Sequence, residues 1–216
     1  MKTAIVLGAT GLVGNELTQL LLNDTRFEKV KVLTRRSTGI TNARLEEHII
    51  NFDEPDTWKK LLDGDVLYSA LGTTLKAAGG KKNQYKVDYT YQYTAAKYAA
   101  AHDVKQLVLV SAAGASPYSN VFYSRMKGEL ERDIQKLPFE TIHIVKPGML
   151  DGTRKEARPG EKIGVGIMKF LSHIPGLNLL KPISGNEVAR AMINITFKQV
   201  VGIYTYSMGK VLKLGK

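Results

Sequence analysis

Three residues of this 216-residue sequence have the types and spacing for acid–base chemistry on a carbonyl or alcohol: Ser111, Tyr123 and Lys127. Tyr123 and Lys127 are four residues apart, so on a helix they share one face. There the ammonium can lower the pKa of the phenol from its reference of about 10. Such a phenol can donate a proton to a carbonyl oxygen or accept one from an alcohol, while Ser111 holds that oxygen by a hydrogen bond. An exposed Tyr and Lys on a solvated helix is the alternative interpretation.

A glycine-rich turn near the N-terminus predicts a binding site for a dinucleotide. Gly8, Gly11 and Gly14 follow an apolar run at once and precede a stretch with helical spacing. Gly8 permits a tight turn, Gly11 lets the backbone approach a pyrophosphate, and Gly14 lets the helix pack closely on the strand. The first turn of that helix offers free N–H groups and a positive dipole to the phosphates. The other residues assigned to this turn are Thr10, Leu12 and Val13.

The end of the second predicted strand indicates which dinucleotide is bound. Arg35 and Arg36 stand where an NAD-preferring site usually has an acidic residue, and arginine favours the 2′-phosphate of NADP. We therefore expect NADP(H) in preference to NAD(H), with a solvated basic loop as the alternative. Asp53 follows the third strand and is predicted either to bond the adenine amino group or to cap the helix near Trp58.

Small and hydroxyl-bearing residues after the fourth predicted strand complete the cofactor site. We expect Leu71, Gly72, Thr73 and Thr74 to pass close to the ribose and nicotinamide. The four histidines are far apart in the sequence and match no ligand spacing, so no metal site is expected.

Positioning these residues requires alternating strands and helices, which the apolar patterns provide. The alternation predicts an α/β, Rossmann-type, doubly wound parallel sheet with helices on both faces, and ligands collect beyond the carboxyl ends of its strands. We expect a single NAD(P)-binding domain over 1–216, with 148–183 as a small C-terminal substrate-side lobe of loop and helix, and 148–166 as its loop. The predicted strands are 3–7, 30–33, 46–51, 65–71, 106–111 and 140–145; the predicted helices are 12–22, 58–62, 85–102, 123–135, 169–180 and 186–197.

Composition narrows the function classes. The formal charge is +11, but the basic residues are scattered and no nucleic-acid motif accompanies them, so nucleic-acid binding is not expected. The chain has no cysteine, which excludes disulfides and fits a reducing cytoplasm, the expected location. No apolar run approaches the roughly 20 residues that span a bilayer. The tyrosine-rich face of the long helix (Tyr85, Tyr89, Tyr93) packs either internally or against a second subunit of a homodimer.

These motifs resemble the extended and atypical branches of the short-chain dehydrogenase/reductase superfamily, and most closely the Tat-interacting-protein family of NADPH-binding, oxidoreductase-like proteins and its bacterial relatives. The resemblance runs from about residue 2 to 197. It implies that NADPH is held by the glycine turn and the arginine, and that Ser111, Tyr123 and Lys127 have the reductase roles. Asp88 stands near the position where many extended members have Asn, and Lys146 where members usually have Arg. The motifs that carry the resemblance are Gly8–Gly14, Arg35-Arg36, Leu71-Gly72-Thr73-Thr74, Val87-Asp88, Tyr123-x-x-x-Lys127-Gly128-Glu129, Lys146-Pro147-Gly148 and Arg158-Pro159-Gly160-Glu161.

The resemblance further implies that the segment after the sixth strand passes along the nicotinamide. Its residues are Pro147, Gly148, Met149 and Leu150. It also implies that Tyr123 and Lys127 contact the cofactor as well as the substrate.

Three functions fit the sequence. The first is an NADP-dependent oxidoreductase that transfers hydride between NADP(H) and a small carbonyl or alcohol substrate. The second is a non-catalytic NADPH-sensing regulatory protein that acts through protein partners. The third is an enzyme like the nucleotide-sugar epimerases and dehydratases, which the short chain after Pro147 disfavours.

Overall fold

The computed structural model of the protein describes residues 1–151 and 182–216. Its main feature is a seven-stranded sheet with the order β3-β2-β1-β4-β5-β6-β9, in which all neighbouring strands are parallel. The predicted Rossmann-type sheet is therefore confirmed. A second sheet pairs β7 with β8. The strands are β1 (Lys2–Leu7), β2 (Phe27–Thr34), β3 (Leu45–Ile49), β4 (Val66–Ser69), β5 (Gln106–Val110), β6 (Thr141–Lys146), β7 (Leu150–Asp151), β8 (Ile183–Ser184) and β9 (Gly202–Ser207).

Helices cover both faces of the sheet because successive side chains of its central strands, which point to opposite faces, are apolar. On β1, Ala4 and Val6 belong to one core cluster, and Ile5 and Leu7 belong to the other. The first cluster contains residues of α1 (Leu12–Asn23) and α7 (Gly185–Thr196), and the second contains residues of α5 (Tyr91–Ala101) and α6 (Phe122–Ile134). The remaining helices are α2 (Pro55–Trp58), α3 (Leu75–Ala78), α4 (Lys81–Tyr85) and α8 (Met208–Leu214), with a 3₁₀ turn at Lys59–Leu61 and a π-helical turn at Lys86–Thr90.

The strand order changes direction at β1, and this point positions the site. The chain runs from β1 outward through β2 and β3, then returns to β4 on the other side of β1. The helices that follow β1 and β4 therefore pack on opposite faces of the sheet, α1 in one core cluster and α5 in the other, and a crevice is left beyond the carboxyl ends of these strands, where ligands of such sheets bind.

Several elements differ from their predicted bounds. The predicted helix 85–102 is three segments: α4, a π-helical turn and α5. This helical stretch begins at α4, before the predicted residue 85. Gly79 and Gly80 have φ of +72° and +142°, and this backbone conformation ends α3 and lets α4 start directly after it. The predicted helix 58–62 is the short α2 followed by the 3₁₀ turn.

The region after β6 contains elements that the apolar pattern did not predict. β9 adds a seventh strand beside β6, and α8 follows it. Leu150 and Asp151 form β7, so the predicted loop 148–166 contains a two-residue strand near its start. The predicted helix 186–197 is confirmed as α7, whose start is fixed by a capping box of Ser184 and Glu187. The rest of that loop and the predicted helix 169–180 lie outside the described residues.

Candidate active site

A cavity of about 410 Å³ opens at the crevice between the ends of β1 and β4. Its volume lies within the range of small-molecule sites, roughly 300–1,000 Å³. Its wall contains most of the residues that were predicted to hold the phosphates, the 2′-phosphate and the ribose. The lining residues are Gly8, Thr10, Gly11, Leu33, Thr34, Arg35, Arg36, Phe52, Ala70, Leu71, Gly72, Thr73 and Ala77.

The glycine turn has the geometry that its spacing predicts. Gly8 has a φ of +87°, and a Cβ there would lie 2.6 Å from the Ala70 backbone, so the turns after β1 and β4 touch. A Cβ on Gly14 would lie 2.0 Å from the Gly8 carbonyl oxygen, which is the close helix–strand packing expected of this position. Gly11 is the N-cap of α1 and has no side chain to bond the first N–H groups of the helix. The turn thus presents backbone N–H donors at the positive end of the helix dipole, a cradle for an anion.

Leu12 and Val13 lie in the first turn of α1, where Leu12 is half-buried and Val13 is buried in the core. Any contact they make with a phosphate is therefore through backbone N–H groups. Thr10 is exposed and lines the cavity.

Arg35 and Arg36 follow β2 and line the cavity. Both are exposed, and neither guanidinium has a hydrogen bond or ion pair with any residue in the described ranges. The Thr34 hydroxyl donates to the Arg36 carbonyl oxygen over 2.8 Å and so fixes the turn that carries them. Two cations at the cavity rim are what a site for a phosphate monoester needs.

Asp53 does not line the cavity; its neighbour Phe52 does. The Asp53 carboxylate lies 2.7 Å from Lys86 Nζ and accepts the Tyr91 hydroxyl over 2.8 Å. These donors hold the pKa of Asp53 below its usual range. Asp53 does not cap the following helix either, because the N-cap of α2 is Glu54. The capping alternative is therefore wrong, and the adenine contact stays a prediction.

The turn after β4 joins the cavity to a buried polar cluster. Leu71, Gly72 and Thr73 line the cavity, whereas Thr74 caps α3 by accepting the Ala77 N–H over 3.0 Å. The Thr73 N–H donates to Asp88 Oδ2 over 2.8 Å. Asp88 lies in the π-helical turn and is only 1% exposed.

Asp88 is the buried counterion of Lys127. Its Oδ1 lies 3.0 Å from Lys127 Nζ, and the two side chains are 1% and 4% exposed. The sequence pattern singled out both residues but did not pair them. No local signal joins them, because they lie on different helical segments that meet only in the folded chain.

The structure places the three predicted catalytic residues on two elements. Tyr123 and Lys127 lie in the first two turns of α6, and Ser111 directly follows β5. Tyr123 is 40% exposed and has no hydrogen-bond partner within residues 1–151 and 182–216. Lys127 is buried beneath it on the same helix.

Ser111 already has a hydrogen-bond acceptor. It is 5% exposed, and its hydroxyl donates to Oε1 of the buried Glu131 of α6. Glu131 Oε2 lies 2.8 Å from Lys146 Nζ, and that ammonium also donates to the Ala115 carbonyl oxygen over 3.3 Å. With its one proton given to a carboxylate, Ser111 can accept a hydrogen bond from an alcohol substrate but has no further proton for a carbonyl. Glu131 and Lys146 were not assigned this contact from the sequence.

The segment after β6 lies next to the loop that follows β5. The buried Pro147 accepts the Ala113 N–H at its carbonyl over 3.2 Å, and the Met149 carbonyl accepts the Ile183 N–H over 2.9 Å. A Cβ on Gly148 would lie 2.5 Å from Met208 Sδ. Leu150 begins β7. The predicted contact of these residues with the nicotinamide stays a prediction.

The tyrosine-rich face that runs from the end of α4 through the π turn into α5 packs within the chain. Tyr85 and Tyr89 stack at 4.8 Å, and Tyr89 and Tyr93 at 5.9 Å between ring centroids. The Tyr85 and Tyr89 hydroxyls donate to Glu129 and Asp133 of α6. Burial, with the adjacent Glu129 carboxylate, raises the pKa of Tyr85 to about 12. The three rings therefore make contacts within the chain, and the homodimer stays a prediction.

Two other kinds of feature are absent from the part of the chain that the structure describes. No group of three or more acidic or histidine side chains could hold a metal ion in residues 1–151 and 182–216. Within those ranges, no helix has the length and apolar character needed to cross a bilayer.

Comparison with known proteins identifies the cofactor class. A family described as NAD(P)H-binding matches residues 8–196. The chain is 38% identical over 198 residues to the protein FMP52-1, mitochondrial, of Scheffersomyces stipitis, which covers 89% of this chain and 87% of that protein. It is 34% identical to FMP52, mitochondrial, of Candida albicans, with 93% and 90% covered. These relatives do not confirm the resemblance to the Tat-interacting-protein family in particular.

The relatives overturn one expectation from composition. The absence of cysteine suggested the cytoplasm, but the similar proteins are named mitochondrial, so the cytoplasmic assignment is wrong. Cysteine usage reports the redox state of a compartment and does not distinguish two reducing compartments.

Solved structures of other proteins have the same fold as this chain. The Bordetella bronchiseptica enzyme WbmH in complex with NAD⁺ superposes with a TM-score of 0.70 at 16% identity, covering 100% of this chain and 79% of that one. UDP-glucose 4-epimerase of Thermotoga maritima superposes with a TM-score of 0.69 at 13% identity, covering 99% and 81%. At such identities the superposition establishes the fold alone.

Proposed function

Because the chain belongs to the NAD(P)H-binding family, we propose that it is an NADPH-dependent oxidoreductase that transfers hydride between NADP(H) and a small carbonyl or alcohol compound. The observation that carries the cofactor assignment is the pair of arginines at the rim of the cavity, whose guanidinium groups have no partner among residues 1–151 and 182–216. Arg35 and Arg36 would hold the 2′-phosphate, and the N–H groups of the glycine turn would hold the pyrophosphate.

The bound nicotinamide supplies the hydride donor or acceptor. Tyr123 would then exchange the proton with the substrate oxygen, since its hydroxyl is exposed and has no partner in the described part of the chain. Lys127 contributes a buried ammonium on the same helix face. Ser111 would accept a hydrogen bond from the hydroxyl of an alcohol substrate, because its own hydroxyl donates to Glu131.

The cofactor assignment is tested by calorimetric titration with NADPH and NADH. Each guanidinium bonded to a phosphate contributes about 1.5–3 kcal/mol, so Arg35→Ala and Arg36→Ala should each weaken NADPH binding by roughly 10- to 100-fold. The NADH affinity should change by less than about threefold, because NADH has no 2′-phosphate for either arginine to contact.

Arg26→Ala is the matched control, since Arg26 precedes β2 at the opposite end of the strand and pairs with Asp24. It removes the same charge and should leave both affinities unchanged. Equal NADPH and NADH affinities in the wild type would contradict the assignment of NADP.

Catalysis is tested by NADPH oxidation with a panel of aldehydes and ketones. Tyr123→Phe removes only the hydroxyl. It should lower turnover at least 100-fold and leave the NADPH affinity unchanged. Turnover that survives this substitution would contradict the role of Tyr123.

A non-catalytic NADPH-binding protein that acts through protein partners is a second candidate. The hydrogen bond from Ser111 to the buried Glu131 favours it, because a serine committed in this way cannot donate to a carbonyl oxygen. It predicts tight NADPH binding, no turnover on any carbonyl compound, and association with another protein only when NADPH is present.

We further propose a mitochondrial location, which the names of the similar FMP52 proteins support. Fractionation of cells that express the full chain with a small C-terminal tag tests this. Recovery in the soluble post-mitochondrial fraction would contradict it.

A further inference from the structure

A line of buried polar side chains contacts the turn after β4. Gln84, Asp88 and Gln92 are spaced four residues apart and are 5%, 1% and 1% exposed. They run from α4 through the π-helical turn into α5, and we call them the polar stripe. Polar side chains buried to this extent are costly unless they are hydrogen-bonded. The partners of the polar stripe therefore show which part of the fold it holds.

The polar stripe bonds to residues 69–73. Asp88 Oδ2 accepts the Thr73 N–H over 2.8 Å, and Gln84 Nε2 donates to the Thr73 carbonyl oxygen over 3.3 Å. Gln92 Oε1 accepts the Ser69 hydroxyl over 2.7 Å. Both backbone groups of Thr73 are thus held by side chains, and the last residue of β4 is held next to them.

Asp88 is itself fixed in place. Its other carboxylate oxygen, Oδ1, lies 3.0 Å from Lys127 Nζ, and its backbone carbonyl oxygen accepts Gln92 Nε2 over 2.7 Å. Gly72 leaves room for the carboxylate, because a Cβ there would lie 3.2 Å from Oδ1. The carboxylate therefore has little freedom to move, and the Thr73 N–H is held with it.

The turn that Asp88 and Gln84 hold is part of the cavity wall. Residues 71–74 join β4 to α3 without regular secondary structure, so their backbone groups need partners from elsewhere. Leu71, Gly72 and Thr73 line the cavity, whereas the side chains of Gln84 and Asp88 do not. These two side chains therefore act on a ligand in the cavity indirectly, through the position of the turn.

The order of segments in the cavity wall matches the order of parts in NADP(H). Arg35 and Arg36 follow β2, the glycine turn follows β1, and the turn at Thr73 follows β4, and these strands are neighbours in the order β2-β1-β4. With the 2′-phosphate at the arginines and the pyrophosphate at the glycine turn, the nicotinamide half is the part left for the β4 side. We propose that Asp88 and Gln84 are positioning residues that hold this turn ready for the nicotinamide half of NADP(H). This inference rests on the proposed cofactor assignment.

Calorimetric titration with two probes tests the proposal. NADPH has both halves of the dinucleotide, whereas 2′,5′-ADP has the phosphorylated adenosine half alone. Asp88→Leu keeps the approximate size of the side chain and removes both acceptor oxygens. Ordering one freed backbone residue on binding corresponds to roughly 5- to 30-fold in affinity, so NADPH binding should weaken by that factor. The 2′,5′-ADP affinity should change by less than about twofold, because this probe does not need the turn after β4 to be ordered.

Two outcomes of this titration would overturn the proposal. One is an NADPH affinity of the variant within about twofold of the wild-type value. The other is an equal loss of affinity for both probes, which would mean that Asp88 supports the whole fold and not the nicotinamide side of the cavity in particular.

Asp65→Leu is the matched control. The Asp65 carboxylate also accepts a backbone N–H, from Thr3 over 2.6 Å, but Asp65 precedes β4 and so lies at the opposite end of this strand from Thr73. The variant removes the same kind of contact from the same strand. It should lower the thermal stability and leave both affinities unchanged.

A second variant tests the proposal if Asp88→Leu does not fold. Gln84→Met removes the donor to the Thr73 carbonyl oxygen and leaves the ion pair of Asp88 and Lys127 in place. It should weaken NADPH binding about 3- to 10-fold, which is the range of one hydrogen bond, and leave the 2′,5′-ADP affinity unchanged. A wild-type NADPH affinity in this variant would overturn the proposal.

Hydrogen exchange of the Thr73 amide in the cofactor-free protein tests the same contact without a ligand. The amide should be protected in the wild type and should exchange at least about tenfold faster in Asp88→Leu, but not in Asp65→Leu. Equal exchange rates in all three proteins would overturn the proposal. A wild-type protein that binds neither probe, although its Thr73 amide is protected, would instead contradict the proposed cofactor assignment.

Discussion

Burial of His143 in the middle of β6 predicts a loss of stability in mild acid. Its side chain is fully buried, Nδ1 contacts the Tyr206 hydroxyl at 3.2 Å, and Nε2 has no partner in the described residues. Burial lowers the pKa of His143 from 6.5 to about 4, with a smaller contribution from the charge of Lys198. The imidazole is therefore neutral in the folded protein at neutral pH.

The direction of this stability change follows from proton uptake by the unfolded chain. Between about pH 6.5 and 4, the unfolded state binds the His143 proton and the folded state does not, so stability falls as the pH falls through this window. One pKa unit corresponds to about 1.4 kcal/mol, so this group alone costs about 2 kcal/mol between pH 7 and pH 5. For a chain of this size, that is a decrease of roughly 4–8 °C in the midpoint of thermal unfolding.

Urea unfolding of the wild type and His143→Gln at pH 7 and pH 5 measures the effect. Glutamine can still bond the Tyr206 hydroxyl but has no proton to gain, so the acid-induced loss in the variant should be smaller by about 2 kcal/mol. Groups common to both proteins cancel in this difference. Equal losses would refute the reasoning, because they would mean that His143 titrates alike in the folded and unfolded states.

Three further substitutions test other contacts. Gly14→Ala places a Cβ 2.0 Å from the Gly8 carbonyl oxygen. It should lower the free energy of unfolding by about 1–3 kcal/mol and abolish NADPH binding in calorimetry. Wild-type stability together with wild-type NADPH affinity would contradict this close packing. Ser111→Ala should lower the unfolding free energy by about 1–2 kcal/mol, because the buried Glu131 loses a donor; unchanged stability in urea would argue against that bond. Ser184→Ala removes the N-cap of α7 and should cost about 1 kcal/mol, or a thermal midpoint lower by roughly 2–4 °C; an unchanged midpoint would argue against the cap.

The features that the sequence predicted correctly are encoded over short stretches. The glycine turn occupies seven consecutive positions between an apolar run and a helix, and its geometry follows from steric limits that Gly8 and Gly14 alone relieve. The four-residue spacing of Tyr123 and Lys127 places them on one helix face wherever that helix lies. The apolar runs of the central strands likewise predicted a parallel sheet covered on both faces.

Other elements were missed because their local pattern is weak. β9 lies at the edge of the sheet, and its residues alternate between half-buried and exposed, with only Tyr206 buried. It is a strand because β6 offers it hydrogen-bond partners about sixty residues away in the sequence. The π-helical turn has no signature in the surrounding apolar pattern.

By itself, the sequence determined the fold class, the anion-binding turn, and the identity of the residues that could exchange a proton, because each depends on neighbours within a few positions. Only the tertiary structure decided which polar groups meet: Asp88 pairs with Lys127, and Glu131 accepts a hydrogen bond from Ser111 while it binds Lys146. The physical reason is that the energy of a charge or a hydrogen bond depends on its distance from partners and on its burial. Both are set when distant segments of the chain pack together.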